Sequence, residues 1–174
     1  TAASTRNRRA IFGDVWQRLQ PLPLGWLSRT LSTPIPMRHK PIKSKLFSEN
    51  RKRLTAQMAP KALAVVNAND VLPTNADGTL PMQPNADLFF LSGIEQEESI
   101  LVLFPDAADE KQREILFVRE PNEHLQIWEG YKHSKPDARK ISGIKNVQWL
   151  SEFPVIFRSL MCEAESAYLN SNEY

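Results

Sequence analysis

Three short, dense apolar runs constrain this chain more than any other feature: DLFFL at 87–91, SILVLF at 99–104 and EILFVR at 114–119. Stretches rich in Leu, Ile, Val and Phe, without polar alternation, fit strands covered on both faces better than strands with one wet side. The segment between the last two runs, PDAADEKQ at 105–112, is polar and short enough to close a hairpin, which predicts an antiparallel pair. ALAVV at 62–66 and NVQWL at 146–150 read as further strands, and AYLN at 167–170 as a last strand or the start of a linker. The stretch NANDVLPTNADGT at 67–79 is rich in the residues that suit turns.

Helical periods lie between these runs. Phe47, Leu54 and Met58 recur at i, i+7 and i+11, which predicts a helix of about three turns, with Ser48 as N-cap, Glu49 facing Arg53, and an end at Pro60. Helical turns are expected over 122–128 and over 136–141, the latter with Pro136 at its first position. The clearest helix spans 152–164, where Phe153, Phe157, Leu160, Met161 and Ala164 form one stripe with Phe157 at its middle. Ser151 is its expected N-cap, and Pro154 is tolerated in the first turn. Strands interleaved with helices, plus a hairpin, give an α/β class with a mixed sheet. No internal repeat or low-complexity segment stands out.

Residues 1–36 are of another kind, with five Arg against one Asp and Pro21, Pro23, Pro34 and Pro36 breaking any sustained period. The first methionine, Met37, marks the change of character. We expect 1–36 to be an irregular Arg- and Pro-rich tail outside a domain running over 37–174; an Arg-rich targeting peptide would need an amphipathic helix that the prolines interrupt. Beyond the tail acidic residues outnumber basic ones by two, so the net charge of +2 is local to the N-terminus and gives no argument for nucleic-acid binding. No apolar run approaches the roughly 20 residues of a membrane span. The single cysteine, Cys162, excludes an internal disulfide and a Cys-based zinc site and fits a reducing, cytoplasmic setting. Its place on the apolar side of the 152–164 helix predicts a buried, inert thiol.

The search for catalytic groups returns little. A dinuclear hydrolase needs several carboxylates and imidazoles converging on one site, whereas His39, His124 and His133 lie in separate segments with no HExxH context. The Asp and Asn spacing in 67–79 does not match a calcium-binding EF-hand. No Gly-rich phosphate loop is present, and Ser92-Gly93 lacks the flanking glycine of a nucleophile elbow.

Three segments in order carry a resemblance: SENRKRLTAQM at 48–58, LPMQPNADLFFLSGIEQEESILVLFP at 80–105 and EILFVREPNEHLQIWEGYK at 114–132. Together they resemble the N-terminal domain of aminopeptidase P, a domain shared with prolidase and creatinase, over roughly residues 40–172. The chain departs from the family pattern at Met82, Gln83 and Pro84, which replace an aromatic-Arg-Gln stretch, and at Lys132, which stands where the family has Arg. The resemblance implies a mixed six-stranded sheet with helices on both faces. It further implies a separate C-terminal pita-bread catalytic domain holding two divalent metals, usually manganese, on Asp, Asp, His, Glu and Glu. None of that domain's motifs is in this chain, and the linker to it is expected at about Tyr174. By the same resemblance this chain holds no cofactor and no catalytic residue; its jobs are contacts in a homo-oligomer and walling the entrance for a proline-containing peptide. The competing reading is a free-standing peptide- or protein-binding module derived from a catalytically dead member.

Four residues are candidates for an entrance or interface. Phe89 and Phe90 are expected to alternate across the 87–91 strand, one entering the core. Trp128, beside Gly130, suits either an interface loop or a packing anchor. Lys132 is the fourth, as the replacement for the family's Arg.

The first prediction concerns the tail: a chain lacking residues 1–36 retains a single cooperative unfolding transition, measured by thermal or denaturant melting. Loss of that transition would place core residues inside the tail.

Overall fold

In the computed structural model of the protein, the residues described are 41–75, 78–121 and 131–170. They belong to one compact unit that starts at Pro41, so the expected boundary at Met37 lies outside the described residues, as does the helical turn expected over 122–128.

The order of elements is α1 (Ser44–Thr55), β1 (Ala62–Asn67), α2 (Ala86–Ser92), β2 (Ile100–Leu103), β3 (Glu114–Val118), α3 (Lys135–Ser142), β4 (Asn146–Trp149), α4 (Phe153–Glu163) and β5 (Ser166–Leu169). The five strands make one sheet in the order β4-β3-β2-β1-β5. The hairpin is as expected: β2 pairs antiparallel with β3, and with β1 on its other side. Both outer pairs, β1 with β5 and β3 with β4, are parallel. The sheet is therefore mixed.

The central strands are covered on both faces, which is why they lack alternation. Ala64, Val66, Leu101, Leu103, Leu116, Val118 and Val147 face one side, against Leu88 and Leu91 of α2, Ala138 of α3, and Leu54 and Met58 from α1 and the turn after it. Leu63, Val65, Val102, Ile115 and Phe117 face the other, against Phe153, Ile156, Phe157 and Leu160 of α4. Among the described residues, three helices thus cover one face and a single helix the other.

One expected strand is a helix. Residues 87–91 lie within α2, because Asn85 accepts hydrogen bonds from the Asp87 and Leu88 amides as an N-cap and Gly93, at φ 71°, supplies the left-handed stop. With that run helical, the described residues hold five strands rather than six. The same stop recurs in α3. Ser92 and Ser142 each donate to the carbonyl four residues back and accept from the amide two residues on, in the sequences Leu91-Ser92-Gly93-Ile94 and Ile141-Ser142-Gly143-Ile144.

Cap and burial expectations need correction elsewhere. Helix α1 begins at Ser44 with Lys43 at its N-cap, so Ser48 lies inside it. Glu49 pairs with Lys45 rather than Arg53. Helix α4 continues from a 3-10 turn over Leu150–Glu152 and has no side-chain cap, so Ser151 does not cap it. Cys162 is exposed, one turn position off the buried stripe, and its thiol donates to the Arg158 carbonyl. The deepest residue of α4 is Leu160, fully buried, while Phe157 is half-buried and stacks on Phe153 at 5.0 Å between centroids.

Accordingly, Leu160→Ala is expected to cost about 2–5 kcal/mol, whereas Val155→Ala, at a position 74% exposed on the same helix, stays within about 0.5 kcal/mol. Chemical denaturation of both variants checks the assignment; equal losses would overturn it.

Candidate functional site

Two features stand out on the framework. The first is a cleft of about 680 Å³ where α1, α2 and the β1/β5 edge of the sheet meet. It exists because β5 lies at the sheet edge, where helical cover is incomplete. Tyr168 pairs in register with Ala64, so it faces the side covered by α1 and α2, yet it remains 49% exposed. Phe90, 54% exposed, forms the α2 wall together with Asp87 and Leu91, and Asn50, Arg53 and Leu54 of α1, with Met58 just after it, form the α1 wall. An apolar floor with an amide, a guanidinium and a carboxylate at its walls suits recognition of a polypeptide surface.

Neighbouring residues of α1 hold the α2 wall in place. The last carbonyls of a helix have no partner within it. At the end of α2 the Phe90 carbonyl accepts from Asn50 Nδ2 at 2.8 Å and the Leu91 carbonyl accepts from Arg51 Nη1 at 2.8 Å. Arg51 also donates to the Ser142 carbonyl at the end of α3 and pairs through Nε with Glu114 of β3 at 3.2 Å. Burial lowers the Arg51 pKa from its usual value, and the charge and hydrogen bond of Glu114 oppose that.

The second feature is a clasp between the turn after α2 and the chain entering α3. Lys132 is buried and its ammonium pairs with Glu97. Arg119, just after β3, reaches Glu97 at 3.8 Å and Glu98 at 3.5 Å. The His133 amide donates to Gln96 Oε1 at 2.6 Å. Tyr131 OH donates to Asp137, and Ser134 caps α3. Burial alone would raise the Glu97 pKa; the Lys132 hydrogen bond, a backbone hydrogen bond and the charges of Lys132 and Arg119 outweigh it and hold the carboxyl below its ordinary range. Burial lowers the His133 pKa, against weaker opposition from Asp137 and Glu95.

The three candidate residues that are described are not brought together. Phe90 lines the cleft. Phe89 packs edge-on against Phe47 at 6.1 Å between centroids and is half-buried. Lys132 belongs to the clasp, and Trp128 lies outside the described residues. The sequence reading missed Asn50, Arg53, Tyr168 and Leu169 at the cleft and Glu97 and Arg119 at the clasp; the one local signal was the polar turn EQEE at 95–98. Among the described residues no three or more His, Cys, Asp or Glu converge as a metal site, so the described residues do not fit a dinuclear centre. Nor is any described helix long and apolar enough to cross a membrane.

The family profile described as the aminopeptidase P N-terminal domain matches residues 47–168, and the chain belongs to that family. It is 26% identical over 128 residues to the Xaa-Pro aminopeptidase of Escherichia coli strain K12, covering 74% of this chain and 29% of that protein. The Xaa-Pro aminopeptidase of Haemophilus influenzae is 21% identical over 122 residues, which is 70% of this chain and 28% of that protein. The structure of aminopeptidase P from Escherichia coli with the inhibitor Pro-Leu superposes with a TM-score of 0.67 at 25% identity, over 78% of this chain and 30% of the other. Pseudomonas aeruginosa aminopeptidase PepP, at 22% identity and a TM-score of 0.68 over 77% of this chain and 30% of the other, shares the fold. The chain thus spans under a third of the length of the curated relatives it matches.

The clasp generates a pH prediction. Glu97 has a depressed folded-state pKa, so its stabilisation is complete above the ordinary glutamate value and is lost as pH falls through the folded value. His133, also depressed, likewise stabilises above the ordinary histidine value and loses that contribution as pH falls below it. Acidification therefore lowers stability in both ranges. Carboxyl NMR titration is expected to place Glu97 below a model glutamate, and Lys132→Met to move it upward; an ordinary value in the unaltered chain would refute the clasp.

Proposed function

We propose that this chain is the non-catalytic N-terminal domain of a manganese-dependent Xaa-Pro aminopeptidase, a metallo-exopeptidase that releases the N-terminal residue preceding a proline. The observation that carries the proposal is coverage: the family match takes in residues 47–168 of this chain, while the matched region is 29% of the Escherichia coli relative. Hydrolysis of the bond before proline by metal-activated water requires clustered carboxylates and imidazole. That work is assigned to a C-terminal pita-bread domain carrying two manganese ions, and this chain contributes binding and orientation.

The cleft is the proposed docking face for that catalytic domain. Its edge wall, Tyr168 to Asn170, is formed by the last described residues. Arg53 and Asp87 supply charges of both signs at an otherwise apolar surface, which suits an interdomain contact with a polar rim. Phe90 is the exposed aromatic anchor, and in a homo-oligomer the same wall would border the entrance for a proline-containing peptide. An exposed thiol without a disulfide partner suits a cytoplasmic enzyme.

The test begins with the gene: an open frame continuing past Tyr174 into Asp, His and Glu metal motifs is expected. The longer protein should cleave a Xaa-Pro peptide with manganese, while the isolated chain neither binds manganese stoichiometrically nor turns over substrate. Phe90→Ala in the longer protein should lower kcat/KM by about tenfold or more. A stop codon after Tyr174, with peptide binding by the isolated chain, would favour the free-standing module instead.

A further inference from the structure

We propose that Asn50 is a positioning residue for Phe90, with Arg53 setting the orientation of its amide, so that three cleft residues act as one relay. The proposal rests on the reading of the cleft as a docking face only for its consequence, not for its geometry. Asn50 is buried to 2% exposure although its side chain is an uncharged amide. Burial of an amide is costly unless both its ends are bonded, and here both are. Nδ2 donates to the Phe90 carbonyl at 2.8 Å, and Oδ1 accepts from Arg53 Nη2.

The two contacts determine each other. A carboxamide presents a donor at one end and an acceptor at the other. Arg53 has only donors, so it fixes Oδ1 on its own side and thereby turns Nδ2 toward the carbonyl. Were the amide reversed, Oδ1 would face the Phe90 oxygen and Nδ2 would face a guanidinium, two clashes at once. The Phe90 carbonyl is among the last of α2, where no intrahelical amide reaches it, so Asn50 supplies the bond that holds this residue's backbone at the cleft. Arg51, the next residue, holds Leu91 and the helix ends beneath. The division is functional: Arg51 ties α2 to the core, and Asn50 sets the exposed aromatic at the cleft wall.

The test uses the whole chain with 4-fluorophenylalanine at position 90, read by fluorine NMR, in three forms: unaltered, Asn50→Asp and Arg53→Met. Asn50→Asp keeps the shape and the Arg53 contact but places a second acceptor against the Phe90 carbonyl. The resonance is expected to shift and the Gly93 amide, which closes the last turn of α2 onto Phe89, to lose about tenfold in exchange protection. Arg53→Met alters an exposed residue and is expected to fold; freeing the amide to reverse should broaden the resonance into an exchanging pair. An unmoved, sharp resonance in Arg53→Met, with or without a folded Asn50→Asp, overturns the relay. A drop in melting temperature with no change in the fluorine signal also overturns it, because a purely structural Asn50 would behave so. If instead Phe90→Ala leaves kcat/KM of the longer protein unchanged, the docking reading fails while the fluorine result stands on its own.

Discussion

A buried arginine organises this domain. The Arg51 side chain is 1% exposed, and its guanidinium gathers the C-terminal carbonyls of two helices and a carboxylate from the central hairpin. Helix C-termini carry partial negative charge, so two of them converging under α1 would repel and leave carbonyls without partners. A guanidinium answers both problems, since it is positive and presents donors in several directions. Removal of one partner of such a buried arrangement typically costs several kcal/mol, because the partners left behind have no water to turn to. The twofold use of Ser-Gly-Ile stops follows from the same need: each helix must end sharply, in left-handed backbone, for its last carbonyls to meet one side chain.

Uneven cover of the sheet follows from this convergence. Among the described residues, the three helices gathered around Arg51 sit on one face and α4 alone on the other. Convergence draws α1, α2 and α3 toward the strands between β1 and β4, and β5, at the opposite edge, keeps its side chains exposed. The cleft is the remainder left by that arrangement. Gly93 shows how tight the arrangement is: a Cβ there would come within 2.4 Å of the Phe47 ring, the same ring that supports Phe89.

What was legible in the sequence is what depends on neighbouring residues. The runs at 62–66, 99–104, 114–119 and 146–150 read as strands because dense β-branched and aromatic content survives without context, and α4 because eleven residues hold a full period. The run at 87–91 misled because five apolar residues satisfy both a buried strand and a short helix; the deciding signals were Asn85 before it and Gly93 after it. Cys162 misled by one position on a stripe whose outer margin is exposed. Of the cleft, only Phe90 was singled out. Asn50 and Phe90 are 40 residues apart, and Tyr168 lies at the far end of the chain, so no local pattern links them. Lys132 stood out only by resemblance, and its burial against Glu97 needed the fold.

The clasp shows why a lysine suits position 132. A lysine presents a compact charge on a flexible stem, where an arginine would present a planar fork. Here the ammonium need meet only one carboxylate oxygen of Glu97, because Arg119 already spans Glu97 and Glu98. One cation with a fork and one without divide two acidic side chains between them. The planar residue sits on the strand end, where its backbone is fixed, and the flexible one on the chain entering α3, where reach matters more than direction. The clasp therefore ties the end of β3 and the chain entering α3 to the turn after α2. In the same way Arg51 secures the helix ends and Asn50 the cleft wall, each by a buried polar side chain that donates to a backbone carbonyl at the end of α2.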